Sequence, residues 1–247
     1  MPLSVHNGTT PIAADLAVVT IAMAGFQASA LVESLRIAGR WHGPIYVLAD
    51  SCDPGPVLTS DVAVVRVLKS QARDPLAAKV WKTRVFELVS EARVLFLDSD
   101  VQVMRPLPPF ILTGPWASGC NAYFTHERWF VRDTTWNSGA ALFDRRLSHG
   151  LLAAWRSSIA SRRFVRDQHA LKAVLQNGSH RHFTACQMPI DQVRVRYEAD
   201  VVNHVWSAVA PRLYVANAPL FVHYTHEKRN VNKSTCGCAR QLGAQGC

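Results

Sequence analysis

The sequence lacks several features that would assign it to a specialised class of protein. Its most apolar uncharged stretch, residues 16–32, is shorter than the roughly 20 residues that a membrane-spanning helix needs and contains glycine and polar residues. No basic segment precedes that stretch, as a signal peptide would require. Repeats and low-complexity runs are also missing. With 49% apolar residues in a chain of 247, the sequence is typical of a globular domain with a substantial core.

Cysteine is sparse and irregularly spaced. Six cysteines are too few and too scattered for a disulfide-built scaffold. Cys236 and Cys238 have no second pair at zinc-site spacing, and with Cys247 they leave the disulfide state of the tail open. We expect a soluble chain, in the cytoplasm or, if its three sequons are used, in the Golgi lumen; the sequons begin at Asn7, Asn177 and Asn232.

Acidic residues are fewer than basic ones, 18 against 27, which gives a formal net charge of +9. A basic surface attracts phosphate-bearing ligands, nucleic acid, anionic polysaccharide or membrane headgroups. Nucleic-acid binders concentrate this charge in a stripe with interleaved aromatics, which is not the pattern here, so we expect no nucleic-acid partner. The basic residues are spread along the chain, with mild clusters at Arg162, Arg163 and Arg166 and at Lys228, Arg229 and Lys233.

The first hundred residues alternate between apolar strand-like runs and helical periodicity. This order is typical of an α/β domain with a mostly parallel sheet, in which ligands bind beyond the carboxyl ends of the strands. We predict strands at 16–22, 44–49, 62–68 and 93–97, and helices at 27–38 and 76–89.

The second half of the chain is less regular. We predict strands at 116–124, 139–143 and 219–224, a helix at 151–159, and another helix that Asp167 opens as an N-cap. These elements would form one domain over residues 16–232, after an N-terminal extension of residues 1–15 and before a C-terminal tail of residues 233–247.

Asp98 and Asp100 directly follow the apolar strand Arg93–Leu97. Two carboxylates so placed can hold one hard cation, Mn²⁺ or Mg²⁺, which would neutralise a leaving diphosphate. Haloacid-dehalogenase phosphatases carry a similar triplet, in which Asp98 would be a covalent nucleophile. In those enzymes the triplet opens the domain, whereas nearly a hundred residues precede it here. A non-catalytic polyanion-binding module is the third alternative.

Further segments resemble the family-8 glycosyltransferases, which include glycogenin and the lipopolysaccharide galactosyltransferases. Lys82 precedes Asp98 by the same interval as the family's helix lysine. The order and spacing of the matching segments agree over residues 16 to about 232. The segments are Val18–Phe26, Arg93–Asp100, Trp136–Phe143, Arg166–Leu171 and Phe221–Tyr224.

The resemblance implies a GT-A glycosyltransferase that moves a sugar from a nucleotide diphosphate, with UDP the expected nucleotide, to a saccharide or a protein- or lipid-linked acceptor, with retained configuration. It assigns the metal to Asp98, Asp100 and His223. Donor binding falls to Phe26, Lys82, Asp98 and either Lys228 or Arg229, and the sugar and acceptor to Asn137, Asp167 and Gln168.

Each assigned residue also has a structural alternative. Phe26 could be a core aromatic, Lys82 a solvated helix charge and Asn137 a turn former. His223 lies in an apolar strand, where a histidine is more often a satisfied core residue than a ligand.

Overall fold

The computed structural model describes nine stretches of the chain, and every structural statement below concerns them. They are residues 15–23, 28–49, 62–66, 75–113, 119–128, 134–176, 182–189, 192–196 and 220–225.

Ten strands and six α-helices occupy these stretches. The strands are β1 Leu16–Ala22, β2 Ile45–Ala49, β3 Val62–Arg66, β4 Arg93–Leu97, β5 Val101–Val103, β6 Ala122–Arg128, β7 Thr134–Asp144, β8 Ala185–Gln187, β9 Gln192–Arg196 and β10 Phe221–Thr225. The helices are α1 Ser29–Ile37, α2 Pro75–Val80, α3 Val85–Leu88, α4 Pro109–Thr113, α5 Arg145–Ala160 and α6 Asp167–Gln176, with a 3₁₀ turn, Trp81–Arg84, joining α2 to α3.

The strands form a seven-stranded sheet in the order β3-β2-β1-β4-β7-β6-β8 and a three-stranded sheet in the order β5-β10-β9. In the large sheet β1 to β4 pair in parallel, β7 runs antiparallel to β4 and β6, and β8 is parallel to β6. The small sheet pairs β10 antiparallel to β5 and parallel to β9. The predicted α/β class with a mostly parallel central sheet is confirmed.

Helices cover both faces of the large sheet, which explains why its central strands are apolar throughout. Alternate residues of each strand enter opposite cores: Leu95 joins the core that includes α1, and Phe96 joins the core that includes α5 and α6. Trp155 of α5 is fully buried in the second core. The core is therefore two layers separated by the sheet.

Several predicted boundaries differ from the observed ones. The predicted helix 76–89 is broken by the 3₁₀ turn, and the strand predicted at 116–124 begins at Ala122. Helix α5 begins six residues before the predicted 151–159, because Asp144 caps it by accepting hydrogen bonds from the backbone N–H groups of Arg146 and Leu147. The sequence analysis missed the short elements β5, β8, β9 and α4.

One disulfide, between Cys120 and Cys186, ties the segment before β6 to β8, with the two Cα atoms 5.8 Å apart. The other four cysteines lie outside the described residues. Residues 1–14 and 226–247 also lie outside the described residues, and the predicted extension and tail are therefore not tested. None of the helices described is both long and apolar enough to cross a bilayer.

Candidate active site

The two sheets meet at the carboxyl end of β4, and this junction gathers polar side chains. Asp98 follows β4 in the turn that leads to β5, and its backbone N–H donates to the carbonyl of Gly139 in β7. Strand β10 pairs with β5 so that His223 lies opposite Val101, next to Asp100. Strand pairing thus brings together residues more than 120 positions apart in the sequence.

Asp98, Asp100 and His223 form a group whose ligand atoms all lie within 4.8 Å of one another. The Nε2 atom of His223 is 3.1 Å from Oδ1 of Asp100. The aspartate side chains are 23% and 22% exposed, so a ligand can reach them. Two carboxylates and one imidazole form a donor set that fits Mn²⁺, which accepts nitrogen more readily than Mg²⁺ does.

Asn137 orients the histidine. Its Oδ1 accepts the backbone N–H of Gly139 at 2.6 Å, and that N–H can only donate, so the amide orientation is fixed. Nδ2 of Asn137 then lies 3.1 Å from Nδ1 of His223. This contact orients the imidazole so that Nε2 faces Asp100.

Gly139 leaves space for this group. A methyl group added to its Cα would lie 2.5 Å from Cε1 of His223, 2.8 Å from Oδ2 of Asp98 and 2.9 Å from Oδ1 of Asn137. All three distances are shorter than van der Waals contact. No residue with a Cβ could occupy this position without displacing the three side chains.

Lys82 lies behind the group, fully buried between two carboxylates. Its Nζ is 2.8 Å from Oδ1 of Asp98 and 3.0 Å from Oδ2 of Asp167, and it also donates to the carbonyl of Ser138 at 3.3 Å. Burial by itself would lower the pKa of Lys82, but attraction to Asp167 and Asp98 outweighs burial and holds that pKa above its ordinary value. The alternative of a solvated helix charge is wrong.

Asp167 is the first residue of α6, and its carboxylate is bound on both oxygens. Lys79 contacts Oδ1 at 2.9 Å, and the hydroxyl of Ser138 donates to Oδ2 at 2.8 Å, beside Lys82. Burial by itself would raise the pKa of Asp167, but attraction to Lys82 and Lys79 holds it well below the usual range. The helix begins at Asp167 as predicted, and the carboxylate binds side chains of other elements.

Gln168 completes the described part of the site, where its Nε2 lies 3.4 Å from Oδ1 of Asn137. Seven of the predicted residues thus converge, and Phe26, Lys228 and Arg229 lie outside the described residues.

The sequence analysis assigned no role to Lys79, although its position three residues before Lys82 places both on one helix face. It also missed Ser138 and the contact of Trp155, whose Nε1 donates to the backbone carbonyl of Asp167.

Comparison with known proteins connects the chain to solved structures by fold. No protein-family model matches the chain, and no curated protein matches it by sequence. The galactosyltransferase LgtC, in complex with donor and acceptor sugar analogues, is 15% identical, with a TM-score of 0.55 over 84% of this chain and 86% of LgtC. The chain has the GT-A fold.

Two further structures agree with this finding. An active-site variant of LgtC gives a TM-score of 0.53 at 15% identity, over 84% of this chain and 86% of that one. The glycosyltransferase GlyE from Streptococcus pneumoniae TIGR4 is 12% identical, with a TM-score of 0.51 over 85% of this chain and 55% of GlyE. The fold expected from the sequence resemblance is therefore confirmed.

Proposed function

We propose that this protein is a metal-dependent glycosyltransferase. It would move the sugar of a nucleotide diphosphate sugar, a UDP-sugar, to an acceptor hydroxyl. The observation that carries the proposal is the convergence of Asp98, Asp100 and His223 at the carboxyl edge of the sheet, in a fold shared with glycosyltransferases. In open α/β sheets this edge is where ligands bind.

The three side chains would hold Mn²⁺, and the ion would neutralise charge on the donor's diphosphate. Lys82 is engaged by Asp98, Asp167 and Ser138, so we propose that it acts on the donor by holding Asp98 in place. Lys82 would leave Oδ2 of Asp98 for the metal. Direct contact with the phosphates then falls to Lys228 or Arg229, and stacking on the base to Phe26.

The resemblance to the family-8 glycosyltransferases implies transfer with retained configuration, and the chemistry of the described residues favours a path without a covalent intermediate. Both oxygens of Asp167 are bound by lysines, and the amide of Gln168 is a weak nucleophile. The bond from the anomeric carbon to the phosphate oxygen would break as the acceptor hydroxyl attacks on the same face. The hydroxyl proton would pass to the departing diphosphate. Asn137 and Gln168 would line the sugar.

The test is a screen of UDP- and GDP-sugars for Mn²⁺-dependent hydrolysis without acceptor, combined with titration calorimetry of Mn²⁺ in the presence of UDP. We expect Asp100→Asn to abolish hydrolysis and weaken Mn²⁺ binding. Glu33→Gln, which changes an exposed carboxylate on α1, is the matched control and should change neither.

Full hydrolysis by Asp100→Asn in the presence of Mn²⁺ would contradict the proposal. The phosphatase alternative predicts a different pattern, because it requires Asp98 as the nucleophile. Mg²⁺-dependent hydrolysis of aryl phosphates that is lost in Asp98→Asn, without any turnover of nucleotide sugars, would favour that alternative.

A further inference from the structure

One helical segment has many basic residues and almost no acidic ones. Residues 145–176, which form α5, α6 and the loop between them, contain seven of the 27 Lys and Arg residues and one of the 18 Asp and Glu residues. Six of the nine net positive charges therefore lie in 32 residues. The single acid, Asp167, is buried against two lysines and does not offset the charge at the surface.

Two of the seven basic residues have a structural explanation. Arg145 donates to the carbonyls of Phe86, Val89 and Glu91 and so caps the end of α3. Arg156 forms an ion pair with Glu87 at 2.6 Å. By contrast, three exposed residues take part in no ion pair within the part of the chain that the structure describes. We call Arg163, Arg166 and Lys172 the α6 rim.

The α6 rim borders the candidate active site. Arg166 directly precedes Asp167, the residue that holds Lys82. Lys172 lies four residues after Gln168, so the two side chains are neighbours on one face of α6. Gln168 in turn contacts Asn137. A molecule bound to Gln168 from solvent therefore has a cationic side chain, Lys172, as a neighbour on the same helix face.

The backbone between Arg166 and Lys172 is held in place by two contacts from α5. The indole of Trp155 donates to the carbonyl of Asp167, and the hydroxyl of Ser158 donates to the carbonyl of Ala170. Between the arginines, the side chain of Val165 is 90% exposed and offers an apolar contact. A backbone that is already held in place needs less ordering when the side chains on it bind a ligand.

We propose that the α6 rim binds an anionic saccharide, bearing carboxylate or sulfate groups, as the acceptor of the transfer reaction. This inference rests on the proposed function and specifies its acceptor. Guanidinium groups bind carboxylate and sulfate oxygens in a bidentate manner, and an exposed valine suits the apolar face of a sugar ring. Acidic groups of the acceptor would lie along the rim while its hydroxyl reaches Gln168.

The composition of the rim disfavours nucleic acid. Single-stranded nucleic acids bind to exposed aromatic side chains on which the bases stack. The structure describes all of residues 161–172, and Phe164 is the only phenylalanine, tyrosine or tryptophan among them. Its ring packs against the core beneath α5 and α6. The rim therefore offers charge without a stacking platform.

The experiment measures binding of three fluorescein-labelled hexasaccharides by fluorescence polarisation: chondroitin sulfate, its desulfated form and neutral chitohexaose. We expect both anionic probes to bind, with affinity that falls as salt screens the charges, and chitohexaose to bind at least about tenfold more weakly. In the double variant Arg166→Glu/Lys172→Glu, the Kd for the anionic probes should rise about tenfold or more. If the double variant loses binding only to the sulfated probe, the rim binds the sulfate groups and not the carboxylates.

Arg146→Glu is the matched control, because this exposed arginine lies at the opposite end of α5, about 20 Å away. It should change the Kd less than about twofold. Circular dichroism and urea unfolding verify that the double variant folds. Equal binding by the double variant and the wild type, or equal binding of chitohexaose, would overturn the inference.

Two further outcomes separate this inference from the proposed function. Donor hydrolysis without binding of any anionic probe would overturn the rim and leave the glycosyltransferase proposal standing. Probe binding without hydrolysis of any nucleotide sugar would refute the acceptor role together with the proposed function. Tighter binding of an oligothymidylate than of chondroitin sulfate, lost in the same double variant, would replace the saccharide by nucleic acid.

Discussion

Asp167 and Asp100 both contribute carboxylates to one site, and they differ in what surrounds them. Asp167 is buried, and two lysines and a serine occupy its oxygens. Asp100 is partly exposed and faces the imidazole of His223. The carboxylate of Asp167 belongs to an internal cluster of opposite charges, whereas that of Asp100 belongs to a set of three ligand atoms from two carboxylates and an imidazole.

The difference shows how one sheet edge supports two functions of a carboxylate. A buried ion pair that is broken leaves an uncompensated charge, so the cluster of Lys82, Asp167 and Lys79 should contribute to stability. The group of Asp98, Asp100 and His223 places two anions close together, which favours a cation. Asp98 belongs to both, because one of its oxygens contacts Lys82.

The largest expected effect is on the buried cluster. Lys82→Met removes the central cation and should lower the free energy of unfolding in urea by about 3–5 kcal/mol. Lys172→Met, at an exposed position of α6, is the control and should change it by less than about 0.5 kcal/mol. A cost for Lys82→Met no larger than that of the control would show that the cluster does not support the fold.

The next effect tests whether the ligand group can be disrupted sterically. Gly139→Ala should cost about 1–3 kcal/mol of stability by overpacking and should also abolish Mn²⁺ binding, because the methyl group would displace His223 and Asp98. Gly119→Ala is the control: Gly119 has a φ of +90° with no atom within 4 Å of an added Cβ. It should lose about 1 kcal/mol of stability and keep its Mn²⁺ affinity. Unchanged Mn²⁺ binding in Gly139→Ala would contradict the proposal that Asp98 and His223 are metal ligands.

A third effect depends on pH. The pKa of Asp167 is lowered in the folded state, so its contribution to stability is complete above the unfolded value of about 3.9 and is lost as the pH falls further. The difference in unfolding free energy between wild type and Asp167→Asn should be constant above about pH 5 and shrink by up to about 1.4 kcal/mol per pH unit below pH 4. Urea titrations from pH 3 to 6 measure it. A difference that is independent of pH over that range would mean that Asp167 is not paired as an anion.

The smallest effect separates the two lysines of the cluster. Lys79 is 37% exposed and binds the outer oxygen of Asp167, so solvent screens the pair. Lys79→Gln should cost less than about 1 kcal/mol, and a cost equal to that of Lys82→Met would show that both lysines hold Asp167 equally. Arg84→Gln is the control, because Arg84 is a cation of similar exposure, 34%, whose partner Glu87 is itself exposed.

The sequence predicted much of the fold. The bounds of β1 and β4 agree with the prediction because both strands are mostly apolar runs of strand length. It also placed Asp98 and Asp100 at the carboxyl edge of the sheet, because they follow a strand predicted to be parallel. Short elements such as β8 and β9 were missed because their formation depends on pairing with β6 and β10.

The local pattern of apolar residues determined the α/β class, the order of its elements and the position of the acidic pair, because strand and helix periodicities are properties of neighbouring residues. Tertiary structure decided the rest. Lys82 is buried because Asp167, 85 positions later, provides its countercharge, and Cys120 meets Cys186 across 66 residues. His223 becomes a candidate ligand through the pairing of β10 with β5. These contacts join distant segments, and the energy of a charge in solvent or in a core depends on which groups the fold brings beside it.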